Sequence, residues 1–255
     1  MKRALVLARI EMVEAFRSRQ IPIFCSLVLV PLAFFVGLRL HDGTLTRDPE
    51  SAISSLGFMA AALGIWVGFL MAWGHAGGWY ERGCRSGSLV FQALRPLPRG
   101  TVVVGSWLGA WAVSATPILT GSLAVAVMAI CYGVGPAFSW VLAVGSLPCL
   151  AFWAAAFIVG PLFISRGTTA GILLLLIFGA GAASGIVRTL GPVAGKTLLY
   201  LQPPLLPAVL ISDQGKLLPD LGEPLATMLY QACGATLLLL AGTRRLDGME
   251  IADRN

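Results

Sequence analysis

Residues 101–133 read TVVVGSWLGAWAVSATPILTGSLAVAVMAICYG and contain no Asp, Glu, Lys or Arg. At 1.5 Å per residue, a helix over this whole stretch is longer than the ~30 Å hydrocarbon core of a bilayer. We expect it either to kink at Pro117 or to project beyond the membrane. Five further uncharged stretches lie along the chain: 21–38, 52–74, 137–165, 167–187 and 224–242. The sequence therefore predicts an all-α polytopic membrane protein with six transmembrane helices.

The overall composition supports this fold class. Mean hydropathy is +0.83, and 12% of the residues are charged, against about a quarter in soluble domains. No polar segment is long enough to fold as a separate soluble domain. We expect a single membrane domain over residues 1–255, so nucleotide-driven or catalytic work must come from another chain.

The basic residues predict the orientation of the chain. They are dispersed over the connectors rather than gathered on one soluble face, which argues against nucleic acid as a partner. With the N-terminus inside, the inner side holds Lys2, Arg3, Arg9, Arg17, Arg19, Arg82, Arg85, Arg95, Arg99, Arg166, Arg244, Arg245 and Arg254. The outer side then holds Arg39, Arg47, Arg188, Lys196 and Lys216. Because inner loops carry the excess of Lys and Arg, we expect both termini in the cytoplasm and the chain in the plasma (inner) membrane.

The N-terminal segment, residues 1–20, has too many charges for the apolar core of a cleavable signal peptide. At 100° per residue its apolar side chains fall on one side: Leu5, Met12, Val13 and Phe16. This pattern predicts an interfacial helix that ends at Pro22. A solvated cytoplasmic tail is the alternative.

The segment between the fifth and sixth stretches, residues 188–223, is apolar in its middle but does not suit a span. Residues 198–211 read LLYLQPPLLPAVLI, which is short and contains three prolines. We expect an outer re-entrant or interfacial hairpin packed against the bundle. A surface loop lying on the lipid is the alternative.

Residue types for chemistry are sparse. The six stretches carry no acid or base of the kind that couples transport to protons or ions. His75 lies at the inner edge of the second stretch and His41 in an outer loop, so we interpret both as interfacial residues rather than relays or ligands. We find no catalytic or metal-binding set, and we expect the five cysteines to be free thiols.

One motif resembles a phosphate-binding loop but fails its pattern. Residues 191–197 read GPVAGKT, with three residues between the glycines where the phosphate loop needs four. The predicted topology also puts the segment outside, away from ATP. We therefore expect no nucleotide site in this chain.

The inner loop, residues 75–100, is the most informative connector. Residues 80–109 read YERGCRSGSLVFQALRPLPRGTVVVGSWLG. An acid and a glycine near the end of a span are followed by a short apolar stretch, 89–94, and then by Pro96 and Pro98. This order predicts a short helix across the cytoplasmic face, which the prolines end. Such a protruding element suits a groove on a cytoplasmic partner.

This loop resembles the permease subunits of type-2 ABC exporters, which join their second and third spans by a stretch of the form E..G.L..L...P..R. The matching residues are Glu81, Gly87, Leu89, Pro96 and Arg99, with Gly105 at a frequent glycine position. The resemblance implies that this loop docks on a cytoplasmic ABC ATPase subunit. It also implies that ATP and Mg belong to that partner, with no cofactor in this chain. Chance similarity of a cytoplasmic loop is the alternative.

The resemblance further implies a functional unit of two permeases, as a homodimer or a heterodimer with a second permease, in contact with membrane lipids. The function expected is ATP-driven export. A membrane anchor or force-transmitting subunit of an envelope assembly machine remains the alternative, while the uncharged spans argue against a channel. The tryptophan-rich spans allow a lipid-like or amphipathic cargo, although such residues more often anchor or pack helices, and we assign no substrate residue.

Small residues four apart predict where helices approach closely. The pairs are Gly64 with Gly68, Gly105 with Gly109, and Gly181 with Gly185. In lipid, such pairs let two helix backbones come into contact. We expect this packing within one chain rather than along a dimer seam.

Overall fold

The computed structural model of the protein describes residues 2–85, 98–175 and 222–248, and every regular element in these ranges is helical. The helices are α1 (Lys2–Arg17), α2 (Gln20–His41), α3 (Thr44–Arg47), α4 (Pro49–Ala76), α5 (Trp79–Arg85), α6 (Arg99–Cys131), α7 (Ala137–Val159), a 3-10 turn (Gly160–Leu162), α8 (166–175) and α9 (Gly222–Asp247).

Four helical segments are long and apolar enough to cross a membrane: Gln20–His41, Pro49–Gly83, Arg99–Cys131 and Ser139–Leu162. They contain the predicted stretches 21–38 and 52–74 and cover most of 101–133 and 137–165, so the prediction of a helical membrane protein is confirmed. The predicted sixth stretch lies inside α9, and the fifth begins in α8. The rest of the fifth stretch and most of the predicted hairpin at 188–223 lie outside the described residues.

The central helix is α6, which packs against α1, α2, α4, α7 and α9. It continues through Pro117 as one helix of 33 residues. Proline has no N–H to donate to the carbonyl four residues earlier, which here is that of Val113. The hydroxyl of Thr116 donates to that carbonyl instead, at 2.7 Å. The helix therefore passes the proline without leaving a backbone acceptor unpaired in the membrane.

Helices approach closely at the glycine pairs, as their four-residue spacing predicted. A Cβ at Gly64 would lie 2.6 Å from the Cα of Ile118, and one at Gly68 would lie 2.7 Å from the carbonyl oxygen of Ser114. The prediction of packing within one chain is confirmed for this pair, which brings α4 onto α6. The pair Gly181 and Gly185 lies outside the described residues.

The second pair, Gly105 and Gly109, lets the N-terminal helix pack closely against α6. Cβ atoms at these positions would lie 2.8 Å from the Cβ of Leu7 and 2.6 Å from the Cβ of Glu11. Helix α1 thus lies directly on the first half of α6. Its packed side carries three buried alanines, Ala4, Ala8 and Ala15.

The predicted apolar side of this helix is turned outward: Leu5, Met12, Val13 and Phe16 are all exposed. The helix also ends earlier than predicted, at Arg17 rather than at Pro22. The break is at Arg19, whose φ of 59° is left-handed. Pro22 is accommodated in the first turn of α2, where a missing N–H costs little. The interfacial location of α1 stays a prediction.

Tryptophans bind α7 to its neighbours. The indoles of Trp107 and Trp111 stack with their centroids 5.7 Å apart and donate to the carbonyls of Ala151 and Leu147 at 2.9 and 3.0 Å. On another side of α7, Trp153 is fully buried, with its ring centroid 4.8 Å from that of Phe69 of α4. Among the described residues, these tryptophans pack the bundle, as the sequence favoured.

Candidate functional site

One end of the bundle gathers basic side chains, and we call it the arginine-rich end. It comprises Arg82, Arg99, Arg166, Arg244 and Arg245. Here α4 and α7 end, α6 begins and α9 ends. The opposite end carries the α2–α4 connector, in which Leu45 of α3 is buried and Asp48 caps α4 by accepting from the N–H of Ser51 at 3.3 Å.

The arginines of this end bind the carbonyls of helix C-termini. Arg82 donates to the carbonyl of His75, and Arg166 donates to that of Trp73 at 3.3 Å. Arg99 donates to the carbonyls of Leu246 and Asp247 at 2.8 and 3.0 Å. Because the last carbonyls of a helix lack partners and carry the negative end of its dipole, guanidinium groups stabilise them. Each bond also fastens one helix to the end of another.

A buried polar cluster lies at the end of α4 and joins three helices. His75 is 4% exposed. Its Nε2 lies 3.1 Å from Oε2 of Glu11 in α1, and its Nδ1 lies 3.1 Å from Oε1 of Gln20 in α2. The contact with Glu11 has the length of an ion pair but not the alignment of a hydrogen bond. His75 therefore ties α1 and the start of α2 to α4, and through Arg82 to α5.

The chemistry of this cluster follows from its acceptors. The carboxylate of Glu11 and the amide oxygen of Gln20 are both acceptors. The Nδ1 atom of His75 either donates to the Gln20 oxygen or, with the Gln20 amide turned, accepts from its NH2 group. A buried cluster of this kind holds a specific helix arrangement, because breaking any member leaves polar atoms unpaired.

The sequence predicted His75 as an interfacial residue; the structure buries its side chain at the end of α4, and its location relative to the membrane stays a prediction. The partnership with Glu11 was missed, because the large apolar residues of 1–20 indicated an interfacial helix whose other side faces water. The spacing of Ala4, Ala8, Glu11 and Ala15 places all four on one side of α1. That stripe of small residues was the available signal.

The predicted coupling residues are only partly within the described structure. Glu81 lies in the first turn of α5 and is exposed, next to Arg82, which binds the end of α4. Arg99 is the first residue of α6 and contacts the end of α9. Gly87, Leu89 and Pro96 lie outside the described residues. The structure thus gives both ends of the predicted loop and shows each fastened to the bundle.

Within ranges 2–85, 98–175 and 222–248, no group of three His, Cys, Asp or Glu side chains is placed to hold a metal ion. Four cysteines are free thiols, as expected: Cys25, Cys131, Cys149 and Cys233. The side chain of Cys84 lies outside what the structure describes.

Comparison with known proteins adds no assignment: no family model matches this chain, and no curated protein matches it. The class that the fold itself defines is that of a helical integral membrane protein. The features of this fold that bear on function are the arginine-rich end and the loop at 75–100 that leaves it.

Proposed function

We propose that this chain is the transmembrane permease subunit of an ATP-driven exporter of the type-2 ABC kind. Two such subunits bracket a pathway across the plasma membrane, and a cytoplasmic ABC ATPase binds the loop at 75–100 of each. ATP and Mg are held by the ATPase. The resemblance of residues 81–99 to the loop of this family motivates the proposal, and the geometry of the arginine-rich end gives it a physical basis.

The attachment of α5 is the observation that carries the proposal. A docking element can drive a membrane domain only if its displacement is transmitted rather than absorbed in a flexible connector. Glu81 is exposed on α5, while its neighbour Arg82 is bonded to the end of α4 at His75. His75 in turn contacts Glu11 and Gln20. A push on α5 is thereby shared among α1, α2 and α4.

The other end of the loop is attached as firmly. Arg99 begins α6 and binds the last carbonyls of α9, and Gly100 lies close enough to Thr243 that a Cβ there would be 3.2 Å from the Thr methyl carbon. Movement of the loop would therefore displace α6 and α9 together. Because α6 packs on most of the other helices, it can distribute that movement through the bundle.

The directions of the helices support a six-span topology. Gly234 and Gly242 of α9 lie against Phe152 and Val159 of α7, so α7 and α9 run in the same direction. Two neighbouring helices with the same direction cannot be joined by a short turn. In the proposed topology the predicted fifth stretch at 167–187, of which residues 167–175 are described, would supply the crossing needed between them. Six spans with both termini on the cytoplasmic side is the arrangement we propose.

The proposal is tested by the partner and by a matched pair of substitutions. The tagged chain is purified in mild detergent from its native host, and bound proteins are identified by mass spectrometry. We expect a stoichiometric ATPase subunit. Glu81→Ala should lower the amount of ATPase recovered and its stimulated hydrolysis by about tenfold, the loss of one strong charged contact. Glu50→Ala changes an exposed acid in the first turn of α4 at the opposite end and should change neither.

Recovery of no ATPase under several mild detergents would overturn the permease assignment. Recovery of an ATPase that turns over while reconstituted vesicles accumulate no lipid-like or amphipathic cargo would instead support the anchoring or force-transmitting role. Equal ATPase recovery with Glu81→Ala and Glu50→Ala would contradict the role given to α5.

A further inference from the structure

The outward side of α4 carries an apolar stripe that runs to the arginine-rich end. Trp66, Leu70 and Trp73 are 39%, 43% and 38% exposed. Their spacing of four and three residues places them on one side of the helix. Gly74, beside Trp73, has no atom within 4 Å of where its Cβ would stand, which leaves open space at the end of the stripe. The stripe is thus a shallow apolar track that ends at the Gly77–Gly78 turn.

Two guanidinium groups meet at that turn. A Cβ at Gly78 would lie 2.9 Å from Nη1 of Arg82 and 3.4 Å from Nη1 of Arg166. These two nitrogens are within 2.9 and 3.4 Å of one point, so they lie no more than about 6.3 Å apart. The glycines make this possible, because a side chain at either position would occupy the space that the arginines fill.

The chain does not neutralise this pair of charges in the part that the structure describes. No carboxylate side chain that the structure describes lies within 4.0 Å of a guanidinium nitrogen of Arg82 or Arg166. Each guanidinium gives one of its five N–H groups to a carbonyl of α4. The Nε of Arg166 is buried without an acceptor among the described residues. Two like charges at this distance repel each other, and an anion between them removes the repulsion.

We propose that this turn and track form a binding site for an anionic phospholipid. The phosphodiester accepts hydrogen bonds from Arg82 and Arg166, and one acyl chain lies along Trp73, Leu70 and Trp66. From Trp66 to Gly77 a helix rises roughly 16 Å, which matches the half-thickness of a ~30 Å hydrocarbon core. Basic clusters at the ends of transmembrane helices bind anionic headgroups in this way.

The apolar track favours a lipid over an acidic segment of a partner protein. A docked protein would need the arginines but not the track, which runs away from them toward the middle of the membrane. The site depends only on the membrane location of the helices. It stands or falls independently of the ATPase partner proposed above.

The test is native mass spectrometry of the detergent-purified chain, titrated with phosphatidylglycerol or with phosphatidylcholine of the same acyl chains. We expect the wild type to bind one phosphatidylglycerol at least tenfold more tightly than phosphatidylcholine. Arg166→Gln should reduce that preference about threefold, and the double variant Arg82→Gln/Arg166→Gln should abolish it. The double variant with lysines, which keeps both charges, should retain part of it.

Arg244→Gln is the matched control, since it removes one exposed charge of α9 at the same end, whereas Arg82 and Arg166 are the guanidinium groups nearest Gly78. It should leave the preference unchanged. Equal binding of the two lipids by the wild type, which needs no variant, would overturn the site, as would an Arg244→Gln loss as large as that of Arg166→Gln. If glycerol phosphate displaced bound phosphatidylglycerol as effectively as free phosphatidylglycerol does, the apolar track would contribute nothing to binding. That result would also reject a lipid site. If the double variant bound phosphatidylglycerol as the wild type does but no longer bound an acidic protein partner, the arginines would belong to the site for that partner instead.

Discussion

Helices α2 and α7 have similar mean hydropathy, but α2 is mostly exposed at the surface of the bundle and α7 is mostly buried. The most apolar windows of the two spans have mean hydropathies of 2.5 and 2.1, yet 11% of the first window and 71% of the second is buried. The more apolar helix is therefore the less buried one. In a membrane, mean hydropathy measures compatibility with lipid and does not report burial in protein.

Side-chain size accounts for the difference better than polarity. The exposed side of α2 carries large residues, including Val30 and Phe34. The buried side of α7 alternates small residues with aromatic ones, including Ala154, Ala155, Trp153 and Phe157. Because lipid tails are as apolar as these side chains, close packing rather than transfer from water stabilises helix association. Small residues permit that packing, and the buried aromatic rings fill the space between helices.

The largest effect is expected where the closest backbone contact is broken. Gly64→Leu would place a side chain against the backbone of Ile118, where a Cβ alone would be 2.6 Å from Cα. Forcing α4 from α6 should cost more than about 3 kcal/mol. Gly37→Leu, on α2, has no neighbour within 4 Å and should cost less than about 0.5 kcal/mol. Reversible unfolding of both variants in detergent measures the difference, and similar losses would mean that α2 is packed like the core.

The next effect comes from an aromatic side chain of each helix. Trp153→Ala removes a fully buried ring that packs against Phe69 and should cost about 3 kcal/mol, chiefly as a cavity. Phe34→Ala truncates a ring that is 64% exposed and should stay within about 0.5 kcal/mol. The same unfolding assay applies. A large loss at Phe34 would show that its exposed face is packed against protein in the detergent-purified state, as it would be in a dimer.

Polar bonds give a smaller contrast. The double variant Trp107→Phe/Trp111→Phe keeps two aromatic rings but removes both indole N–H bonds from α6 to α7. At about 0.6 kcal/mol for each bond in a membrane protein, the loss should be about 1 kcal/mol. Between α2 and α6 the comparable polar contact is the 3.6 Å approach of Cys25 Sγ to the Thr120 hydroxyl, so Cys25→Ala should be near neutral. Thermal unfolding of both variants, compared with wild type, measures the two losses of stability. Equal losses would show that α2 depends on polar bonds as much as α7 does.

The smallest effect is expected at the start of α2, where Gln20 contacts His75. His75→Leu removes the contacts with Glu11 and Gln20 and should cost roughly 1 kcal/mol or less, because Glu11 keeps partial access to water. His41→Leu, at the exposed far end of α2, should have no effect. Hydrogen exchange of α1 and of the start of α2 gives the local readout. Unchanged protection in His75→Leu would show that alanine packing alone holds these segments.

Much of the fold could be predicted from the sequence because charge and length are local properties. Uncharged stretches of spanning length are visible in any one segment, and four of them appear as membrane-spanning helices. The glycine pair at Gly64 and Gly68 was also predictable, since only small residues permit backbone contact. Which side of α1 packs against the bundle was not predictable. Its larger apolar residues predicted the lipid-facing side, but the side that packs carries the alanines.

The candidate site shows the same division. Sequence by itself determined that the chain is a helical membrane protein, and it singled out the loop at 75–100, because these follow from hydropathy, charge and proline placement along the chain. Only the tertiary structure decided that His75 contacts Glu11 across 64 residues, or that Arg82 and Arg166 meet at one glycine turn. Those pairings depend on which sides of helices face each other. In a membrane, where apolar residues suit both lipid and core, close packing determines that choice and hydropathy does not.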